Sequence, residues 1–363
     1  MLRKCKRQRL RFAYSELSDM KKHVNIPIFI PHLGCPNQCV FCNQRTISGV
    51  TEFELSSVKY EIENALSTID PSKEVEIAFF GGSFTGIDRE LMISLLKIAN
   101  EYIKCGRVNS LRCSTRPDYI DEETLALLKR YGVKSIELGL QSTSDIVLAT
   151  TKRGHTREDE EKASRLIVDN GFDLIGQMMI GLPGSTIDDE IETARFIVDS
   201  GAKGARIYPT VVFHDTELCQ MSKSGEYTPI DLEEAVDRSA RVLEIFLECG
   251  VEVIRIGLCS SENLVDEEKY YAGPNHPALG EMVESALFYN KIASYLDKDR
   301  SYSDINLKIS VAKGCLSKVI GQKRSNKDRL YREYGIAEVK FKEDENLSGY
   351  ELMIEEERKR ECT

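Results

Sequence analysis

The chain has no long apolar segment. None of its 363 residues lies in a run that approaches the ~18 consecutive apolar residues needed by a membrane helix. A signal peptide is not expected either, because the basic residues near the N-terminus are not followed by an apolar stretch. The sequence also shows no internal repeat and no low-complexity segment. We therefore expect a protein that is not exported, does not enter a membrane and resides in the cytoplasm.

An excess of positive charge is missing as well. The 49 Lys and Arg residues face 59 Asp and Glu residues, so the formal net charge is −10. This charge disfavours nonspecific attraction of the whole surface to nucleic acid or anionic lipid, but it leaves room for local basic patches. With 41% hydrophobic and 30% charged residues, the composition is that of an ordinary globular protein. A chain of this length forms one large α/β domain or two domains.

The cysteine content does not fit a disulfide framework. Eleven is an odd number of cysteines, and a chain of this length builds a core without cross-links. A reducing compartment is therefore expected. Eight cysteines stand alone and are interpreted as small buried apolar residues, namely Cys5, Cys105, Cys113, Cys219, Cys249, Cys259, Cys315 and Cys362. The other three lie close together and need a different explanation.

Short β-rich runs alternate with amphipathic helical stretches over most of the chain. Alternation of this kind is typical of repeated βα units and a parallel sheet. The predicted strands are 26–31, 75–80, 111–115, 135–140, 173–180 and 205–212. Six such units predict an α/β fold, a partial (β/α)6 TIM-like barrel, with its functional residues at the carboxyl ends of the strands.

Local patterns mark the ends of the predicted helices. Four glycines each fall just after a helical pattern and just before a strand pattern, where a left-handed residue closes the helix; they are Gly132, Gly171, Gly201 and Gly250. The spacing of Thr156 from Asp159, and of Thr186 from Asp189, is that of N-terminal capping residues. These positions predict where helices begin and end between the strands.

The alternating pattern stops after about residue 262. Residues 271–277 are rich in turn formers, 282–296 have a helical pattern, and 305–311 and 336–341 read as strands. We therefore predict three segments in chain order. They are a basic N-terminal segment (1–22), the partial barrel (23–262) and a small α+β C-terminal extension (263–363).

Three cysteines follow the first predicted strand in a C-x3-C-x2-C pattern: Cys35, Cys39 and Cys42. Thiolates this close in sequence can surround one metal centre. A structural zinc site normally needs a fourth protein ligand, for which His32 is the one close candidate. A four-iron cluster held by three cysteines instead keeps one iron open for a ligand. A zinc loop and a chance group of buried thiols are the alternatives.

The cysteine pattern, with the aromatic Phe41 before its third member, resembles the cluster motif of the radical S-adenosylmethionine (radical SAM) superfamily. The resemblance implies a [4Fe–4S] cluster on Cys35, Cys39 and Cys42 and S-adenosyl-L-methionine as the second cofactor. It also implies reductive cleavage of S-adenosylmethionine to a 5'-deoxyadenosyl radical, with the cofactors performing the difficult chemistry. The electron would come from a donor such as a flavodoxin or ferredoxin.

Later segments agree with this resemblance in chain order. Residues 79–86 contain Gly81, Gly82 and Ser83 and are similar to the glycine-rich segment whose backbone receives the methionine amino group. Many family members have Glu where Ser83 stands, and the form seen here resembles the Elp3-like branch, the catalytic subunits of Elongator. Residues 114–118, 137–142 and 152–156 resemble segments shared by Elp3-like proteins and oxygen-independent coproporphyrinogen oxidases.

The resemblance also implies roles for four polar side chains. Gln141 would contact the cofactor ribose, and Arg153 would bind the methionine carboxylate with its planar guanidinium group. Gln177 lies in the segment that borders the adenosine, and Arg206 would face the cofactor or the substrate. The structural alternative is that Arg153 and His155 are solvated residues at a helix entry.

The resemblance covers roughly residues 24 to 260. We expect no acetyltransferase domain of the Elongator type, because only about a hundred residues follow, fewer than the usual size of such a domain. The tail of the porphyrin oxidases is not recognisable either. No obligate protein partner is predicted.

RNA, and tRNA in particular, is the leading substrate hypothesis. Besides the Elp3-like motifs, it depends on two basic stretches and is opposed by the net acidity. The first contains Arg3, Lys4, Lys6, Arg7, Arg9, Arg11, Lys21 and Lys22, and the second contains Lys313, Lys318, Lys323, Arg324, Lys327, Arg329 and Arg332.

Two other functions remain open. The first is a radical SAM enzyme that acts on a small or porphyrin-like molecule beneath a lid containing Tyr270, Tyr271, Asn275 and His276. The second is a non-catalytic iron–sulfur sensor or electron carrier, against which the missing fourth cysteine speaks.

Overall fold

The computed structural model describes residues 6–10, for which only the backbone is considered, and residues 23–30, 35, 39–43, 53–258 and 269–358. Most of the N-terminal basic stretch, His32, residues 36–38 between the first two cysteines and the predicted boundary at 262 lie outside this set. The chain divides into two compact units. The barrel unit comprises Asp19–Ala235 and Val251–Pro277, and the small unit comprises Met1–Ser18, Val236–Gly250 and Ala278–Thr363.

The barrel unit is built on a seven-stranded sheet whose neighbouring strands are all parallel. Its strands are β2 (His23–Phe29), β3 (Glu74–Phe80), β4 (Ser110–Thr115), β5 (Val133–Gln141), β6 (Asp173–Ile180), β7 (Gly204–Pro209) and β9 (Glu252–Ile256), in that order across the sheet. The predicted α/β partial barrel is confirmed. All six predicted strands are present, and β9 is an additional edge strand that the analysis of the sequence missed.

Helices connect the strands of the sheet. They are α1 (Val58–Thr68), α2 (Arg89–Lys104), α3 (Glu122–Arg130), α4 (Asp145–Thr150), α5 (Arg157–Asp169), α6 (Ile187–Asp199), α7 (Glu217–Ser224) and α8 (Leu232–Glu248). The two predicted N-caps are confirmed, because Thr156 and Thr186 each form a reciprocal capping box with the residue three positions later. The four predicted helix-closing glycines have φ values between +72° and +88°.

Apolar side chains of strands and helices form the core of the barrel unit. Along β4 and β5, Leu111, Cys113, Ile136 and Leu138 are completely buried. The connecting helix α2 buries an apolar stripe with helical spacing, consisting of Met92, Leu95, Leu96 and Ala99. The sheet is therefore covered as a parallel sheet requires.

A short antiparallel pair lies beyond the carboxyl end of β7. It joins β8 (Val212–Phe213) to β10 (Tyr270–Ala272). The predicted sixth strand, 205–212, is thus divided between β7 and the start of β8. Tyr270 and Tyr271, which were assigned to a turn-rich lid, lie on or beside this small ribbon.

The small unit contains a four-stranded sheet with the order β1 (Lys6–Leu10), β13 (Leu352–Arg358), β11 (Ile305–Val311) and β12 (Glu338–Glu343). β11 is antiparallel to β13 and parallel to β12. Helices α9 (Leu279–Tyr295), α10 (Leu316–Ile320) and α11 (Ser325–Tyr334) supply the rest of its core. The sequence analysis predicted α9, β11 and β12, but not β1, β13, α10 or α11.

The two units are not consecutive segments of the chain. Residues 6–10, which were assigned to a separate basic segment, pair with β13 through their backbone. Residues 236–250 group with the small unit, although they lie inside the range predicted for the barrel. Among the described residues, no helix combines the length and the apolar character that crossing a membrane would require.

Gly81 lies where the backbones of two neighbouring strands approach each other. It follows β3 directly and has φ +102°. A Cβ atom added there would lie 2.9 Å from the backbone nitrogen of Ile30, which itself donates a 2.7 Å hydrogen bond to the Phe80 carbonyl. Only glycine fits both the dihedral angle and the space.

We expect Gly81→Ala to lower the free energy of unfolding by about 2–4 kcal/mol, because it combines an unfavourable φ with a clash against backbone. Gly106→Ala is the matched control, since Gly106 has φ +75° but nothing within 4 Å of an added Cβ. The control is expected to lose only about 1 kcal/mol. Urea denaturation of both variants measures the difference, and equal losses would contradict the steric explanation.

Candidate active site at the carboxyl ends of the strands

The described part of the cysteine loop is fixed to two other segments by backbone hydrogen bonds. The Val40 N–H donates to the Thr151 carbonyl over 3.2 Å, and the Leu218 N–H donates to the Val40 carbonyl over 2.8 Å. Within the loop, the Cys42 N–H donates to the Cys39 carbonyl over 3.0 Å. Phe41 is partly buried and packs beside Val40. Phe41 therefore contributes to holding the loop.

Two arginine side chains face the sulfur of Cys39, which is buried. The Arg153 Nη1 lies 3.2 Å and the Arg116 Nη1 lies 3.8 Å from Cys39 Sγ. Arg116 is itself held by Asp118 through a bidentate ion pair of 2.9 and 3.0 Å, and it donates to the Arg153 carbonyl. Arg153 and His155 are both buried, so the alternative that they are solvated helix-entry residues is wrong.

Cys35 lies beside the glycine-rich segment. Burial raises the pKa of its thiol, while a backbone hydrogen bond from Ser83 and the charges of Arg116 and Arg153 act in the opposite direction. The first cysteine, the glycine-rich segment and both arginines therefore share one region.

Among the residues that the structure describes, no three His, Cys, Asp or Glu side chains form a ready-made metal site. The joint ligation of one cluster by Cys35, Cys39 and Cys42 therefore stays a prediction. The donor set suits an iron–sulfur cluster, whose ligands are cysteine thiolates.

Hydroxyl groups connect the glycine-rich segment to the end of β4. Ser83 Oγ lies 2.9 Å and Thr85 Oγ1 lies 2.5 Å from Thr115 Oγ1. Ser83, which stands where many family members have Glu, is buried. In this chain its hydroxyl fixes the segment that the resemblance assigns to the methionine amino group.

Gln141 and Arg153 meet at Gly139 on β5. The Arg153 Nη2 donates to the Gly139 carbonyl over 2.5 Å, and a Cβ at Gly139 would lie 3.0 Å from Gln141 Nε2. Gln141 has φ +74°, which is uncommon for a residue other than glycine. The structure thus brings together the two side chains predicted to contact the ribose and the methionine carboxylate.

A row of polar side chains, four of them charged and buried, crosses five strands of the sheet. Glu137 on β5 accepts hydrogen bonds from Arg112 (3.0 Å), Arg206 (2.7 Å) and Gln177 (2.7 Å). Arg112 also donates to Glu76 over 2.6 Å. The row thus contains Glu76, Arg112, Glu137, Gln177 and Arg206, one from each of the strands β3 to β7.

Gln177 and Arg206 were predicted to bind the cofactor, and here both bind Glu137. Burial alone would lower the pKa of Arg206, but Tyr208 and Glu137 raise it above its ordinary value. The Arg206 Nε is buried and has no hydrogen-bond partner among the described residues. One donor of this side chain is therefore unsatisfied among the described residues, whereas Nε2 of Gln177 donates to Glu137.

The sequence analysis assigned no role to Glu76, Arg112, Glu137 or Arg116. The sequence contains a pattern that could have predicted them. Glu76, Arg112 and Glu137 interrupt apolar strands at positions that share one face of the sheet. Charged residues are almost never fully buried unless they are paired. A row of opposite charges on successive strands therefore predicts a buried network.

The comparisons with known proteins agree with this geometry. Residues 29–197 match the model of the radical SAM superfamily, and residues 202–288 match the model of the Radical_SAM C-terminal domain. The chain belongs to the radical SAM superfamily. Enzymes of this superfamily use S-adenosylmethionine and a [4Fe–4S] cluster.

Elp3-like proteins are among the relatives of this radical SAM protein. A "tRNA uridine(34) acetyltransferase" of Methanocaldococcus jannaschii is 31% identical over 199 residues, which are 49% of this chain and 37% of that protein. "Elongator complex protein 3" of Homo sapiens is 25% identical over 256 residues, which are 59% of this chain and 47% of that protein. The chain thus spans less than half the length of these two curated relatives.

A solved structure shares the fold of this radical SAM protein. The Elp3 of Methanocaldococcus infernus with an N-terminal deletion superposes with a TM-score of 0.60. It is 24% identical, and the match covers 76% of this chain and 64% of that one. At this identity the likeness concerns the fold alone.

The stability of this radical SAM protein should depend on the carboxylate of Glu137 in the row of polar side chains. Glu137→Gln removes the carboxylate that Arg112 and Arg206 share, so we expect the free energy of unfolding to fall by about 3–5 kcal/mol. The control is Glu123→Gln. The Glu123 side chain is 86% exposed and pairs with Arg89, and its loss should cost less than about 1 kcal/mol. Urea denaturation compares the two, and a small loss in both would refute the prediction.

His155, two residues after Arg153, forms a buried pair of titratable groups with Glu160. His155 Nε2 is 3.1 Å from Glu160 Oε1, and both side chains are fully buried. Burial and the charges of Arg153 and Arg116 lower the pKa of His155 to about 3. Burial raises the pKa of Glu160 well above its ordinary value. The folded pair therefore keeps one proton, on Glu160, over a wide pH range.

This pair makes stability depend on pH. Groups with ordinary pKa values of 6.5 and 4.5 bind no proton above pH 6.5 in the unfolded chain, one between these values and two below 4.5. Between pH 6.5 and the raised pKa of Glu160, the folded pair holds one more proton than the unfolded chain. Its contribution to stability therefore falls as pH rises, by up to about 1.4 kcal/mol per pH unit. Below pH 4.5 the folded pair holds one fewer, so its contribution falls towards pH 3.

Glu160→Gln mimics the protonated acid and should abolish the loss of stability above pH 6.5 that comes from this pair. Glu161→Gln is the control, because Glu161 is half-exposed on the same helix. Urea denaturation between about pH 5.5 and 8.5 measures both. A wild-type slope retained in Glu160→Gln would disprove the assignment.

Proposed function

We propose that this radical SAM protein reductively cleaves S-adenosylmethionine at a [4Fe–4S] cluster on Cys35, Cys39 and Cys42 and acts on RNA, with tRNA as the substrate class. The observation that carries the cofactor assignment is the pair of guanidinium groups at Cys39 Sγ, beside a glycine-rich segment at the strand ends. A cluster held by the three cysteines would supply an electron, and S-adenosylmethionine held beside it would supply the radical chemistry that removes a hydrogen atom from the substrate.

The side chains of this protein orient the cofactor in our proposal. Arg153 is placed to bind the methionine carboxylate, because its guanidinium group already lies at Cys39 and can grip two oxygens. The backbone of Gly81, Gly82 and Ser83 receives the amino group. Gln141 binds the ribose.

Arg206 faces the adenosine or the substrate in this proposal, since its buried Nε keeps one free donor. Gln177 donates a hydrogen bond to Glu137 and so holds that carboxylate in position for Arg206. Burial of these groups excludes water from the region in which a radical would react. A flavodoxin or ferredoxin is the proposed class of electron donor.

The relatives named tRNA uridine(34) acetyltransferase and Elongator complex protein 3 support RNA as the substrate class.

The small ribbon of β8 and β10 favours the second candidate, a small molecule held beneath Tyr270 and Tyr271. Tyr271 contacts His214 edge to face at 5.5 Å and has Lys223 5.4 Å from its ring centre. This polar and aromatic ribbon follows β7, where a ligand of a parallel barrel is expected.

The test is anaerobic reconstitution with iron and sulfide, followed by reduction with dithionite and quantification of 5'-deoxyadenosine. The wild type is expected to form it. Cys39→Ala should lose both the cluster absorbance and the product. Arg153→Lys should keep the cluster but lose roughly 10- to 100-fold in kcat/KM for S-adenosylmethionine, because lysine cannot form the bidentate contact.

Arg157→Lys is the matched control, since Arg157 is a surface arginine paired with Glu161 and Glu192. It should behave as the wild type. A fully loaded wild type that yields no deoxyadenosine would exclude the enzymatic proposal in favour of an iron–sulfur sensor. Added tRNA should increase the yield, whereas stimulation by a small-molecule extract alone would support the second candidate.

A further inference from the structure

Residues 305–343 of the small unit form a strand, two helices and a second strand. The chemistry proposed for the barrel unit does not use this stretch. β11 leads into α10, a short loop leads into α11, and β12 then pairs parallel to β11. The loop has the sequence Gly321-Gln322-Lys323-Arg324. Residues 305–343 lie outside both matched family models. The role of this stretch is therefore not covered by the family assignment.

The loop has an unusual backbone. Gly321 has φ +81° and ψ 156°, and a Cβ there would lie 2.9 Å from the backbone nitrogen of Asn326. Lys323 and Arg324 follow with φ values of +50° and +68°. Two successive non-glycine residues in the left-handed region are rare. The chain turns sharply between the helices and directs two basic residues to the surface, where both are exposed.

A buried asparagine fixes this turn. The side-chain amide of Asn326 donates to the Ser285 carbonyl over 2.8 Å and to the Val319 carbonyl over 3.2 Å. The Arg324 N–H donates to the Gly321 carbonyl over 3.0 Å. Asn326 thus ties the start of α11 to α9 and α10. The loop is held in one conformation before any ligand binds, which reduces the entropic cost of binding.

The charges around the loop are not neutralised locally. In the described part of the chain, Lys323 and Arg324 have no carboxylate within 4 Å, whereas Lys318 pairs with Glu284 at 2.7 Å and Arg329 with Glu333 at 2.6 Å. No side chain among the described residues caps the N-terminus of α11. Basic side chains and helix N–H groups together are the usual partners of phosphate.

Apolar and aromatic surface lies beside these charges. Ile320, Tyr331 and Phe341 pack against the core of the small unit but stay partly exposed. The Lys327 ammonium lies 5.9 Å from the centre of the Tyr331 ring. Unstacked bases bind to surfaces of this kind, by stacking and by apolar contact.

We propose that the small unit contains a KH-like module, which binds single-stranded RNA through residues 321–324 and the adjoining face of α10, α11 and β12. In KH modules a GXXG loop clamps the backbone of four nucleotides. This chain departs from that pattern by having Arg324 in place of the second glycine, yet Arg324 adopts a glycine-like φ. The inference deepens the proposed function and rests on it for the fate of the bound RNA. The binding itself is measured separately.

The test uses the full-length reconstituted protein and a labelled single-stranded RNA of about 12 nucleotides, with fluorescence anisotropy as the readout. The double variant Lys323→Asp/Arg324→Asp reverses both loop charges, and aspartate tolerates a left-handed backbone better than most residues do. We expect binding to weaken at least roughly tenfold and the slope of log K against log salt to decrease by about 1.4.

Lys298→Asp is the matched control, because Lys298 is an exposed lysine of the same unit. It should bind RNA as the wild type does. Thermal denaturation verifies that all variants are folded, and Arg324→Gly, which relieves the backbone, should retain more binding than the double variant. Unchanged binding in the double variant, no RNA binding by the wild type, or a preference for duplex RNA or DNA would overturn the proposal.

The same samples are assayed for cleavage of S-adenosylmethionine without RNA. The loop variants should retain this activity, since their substitutions lie outside the predicted cofactor-binding residues. RNA binding that is unchanged in the double variant, with normal cleavage, would refute only the KH-like module. RNA binding without cleavage would refute only the radical chemistry.

Discussion

The arrangement of the barrel unit depends on one buried carboxylate. Glu137 accepts hydrogen bonds from Arg112, Arg206 and Gln177, and Arg112 continues the row to Glu76. Because an unpaired charge in a protein interior is very costly, these side chains must stay in register across five strands. The row therefore limits how the sheet can slip or open. It also sets the position of Arg206, whose remaining donor is available to a ligand.

The chemistry that we propose lies at the loops above this row. Arg153 and Arg116 meet at Cys39, and Asp118 holds Arg116 in place. The two contacts to Cys39 join segments 114 and 77 residues apart in sequence, so the fold of the sheet brings these groups together. A rigid base with polar loops at the strand ends is how barrel enzymes support reactions that tolerate little motion.

Local patterns explain which features the sequence predicted. The six strands, the Thr156 and Thr186 caps and the helix-closing glycines depend on neighbouring residues, and all were predicted correctly. β1, β9 and β13 were missed because short or charged strands are defined by their pairing partners, which a single sequence does not reveal. For the same reason the hydrogen bond from Gln177 to Glu137 on the neighbouring strand was not foreseen, and the cofactor role of Gln177 stays a prediction. The joint ligation of one cluster by the three cysteines remains a prediction.

The net charge of a chain does not decide what a local surface can bind. The charge of −10 argued against RNA, but electrostatic interactions between exposed groups fade within about 8 Å at physiological salt. In the small unit, the acidic β13 is partly neutralised, since Glu356 pairs with Arg300 and Glu355 with Lys308. Lys323 and Arg324 lack such partners among the described residues. An RNA strand at the loop would therefore encounter positive charge first, and the acidic total would matter little at that distance.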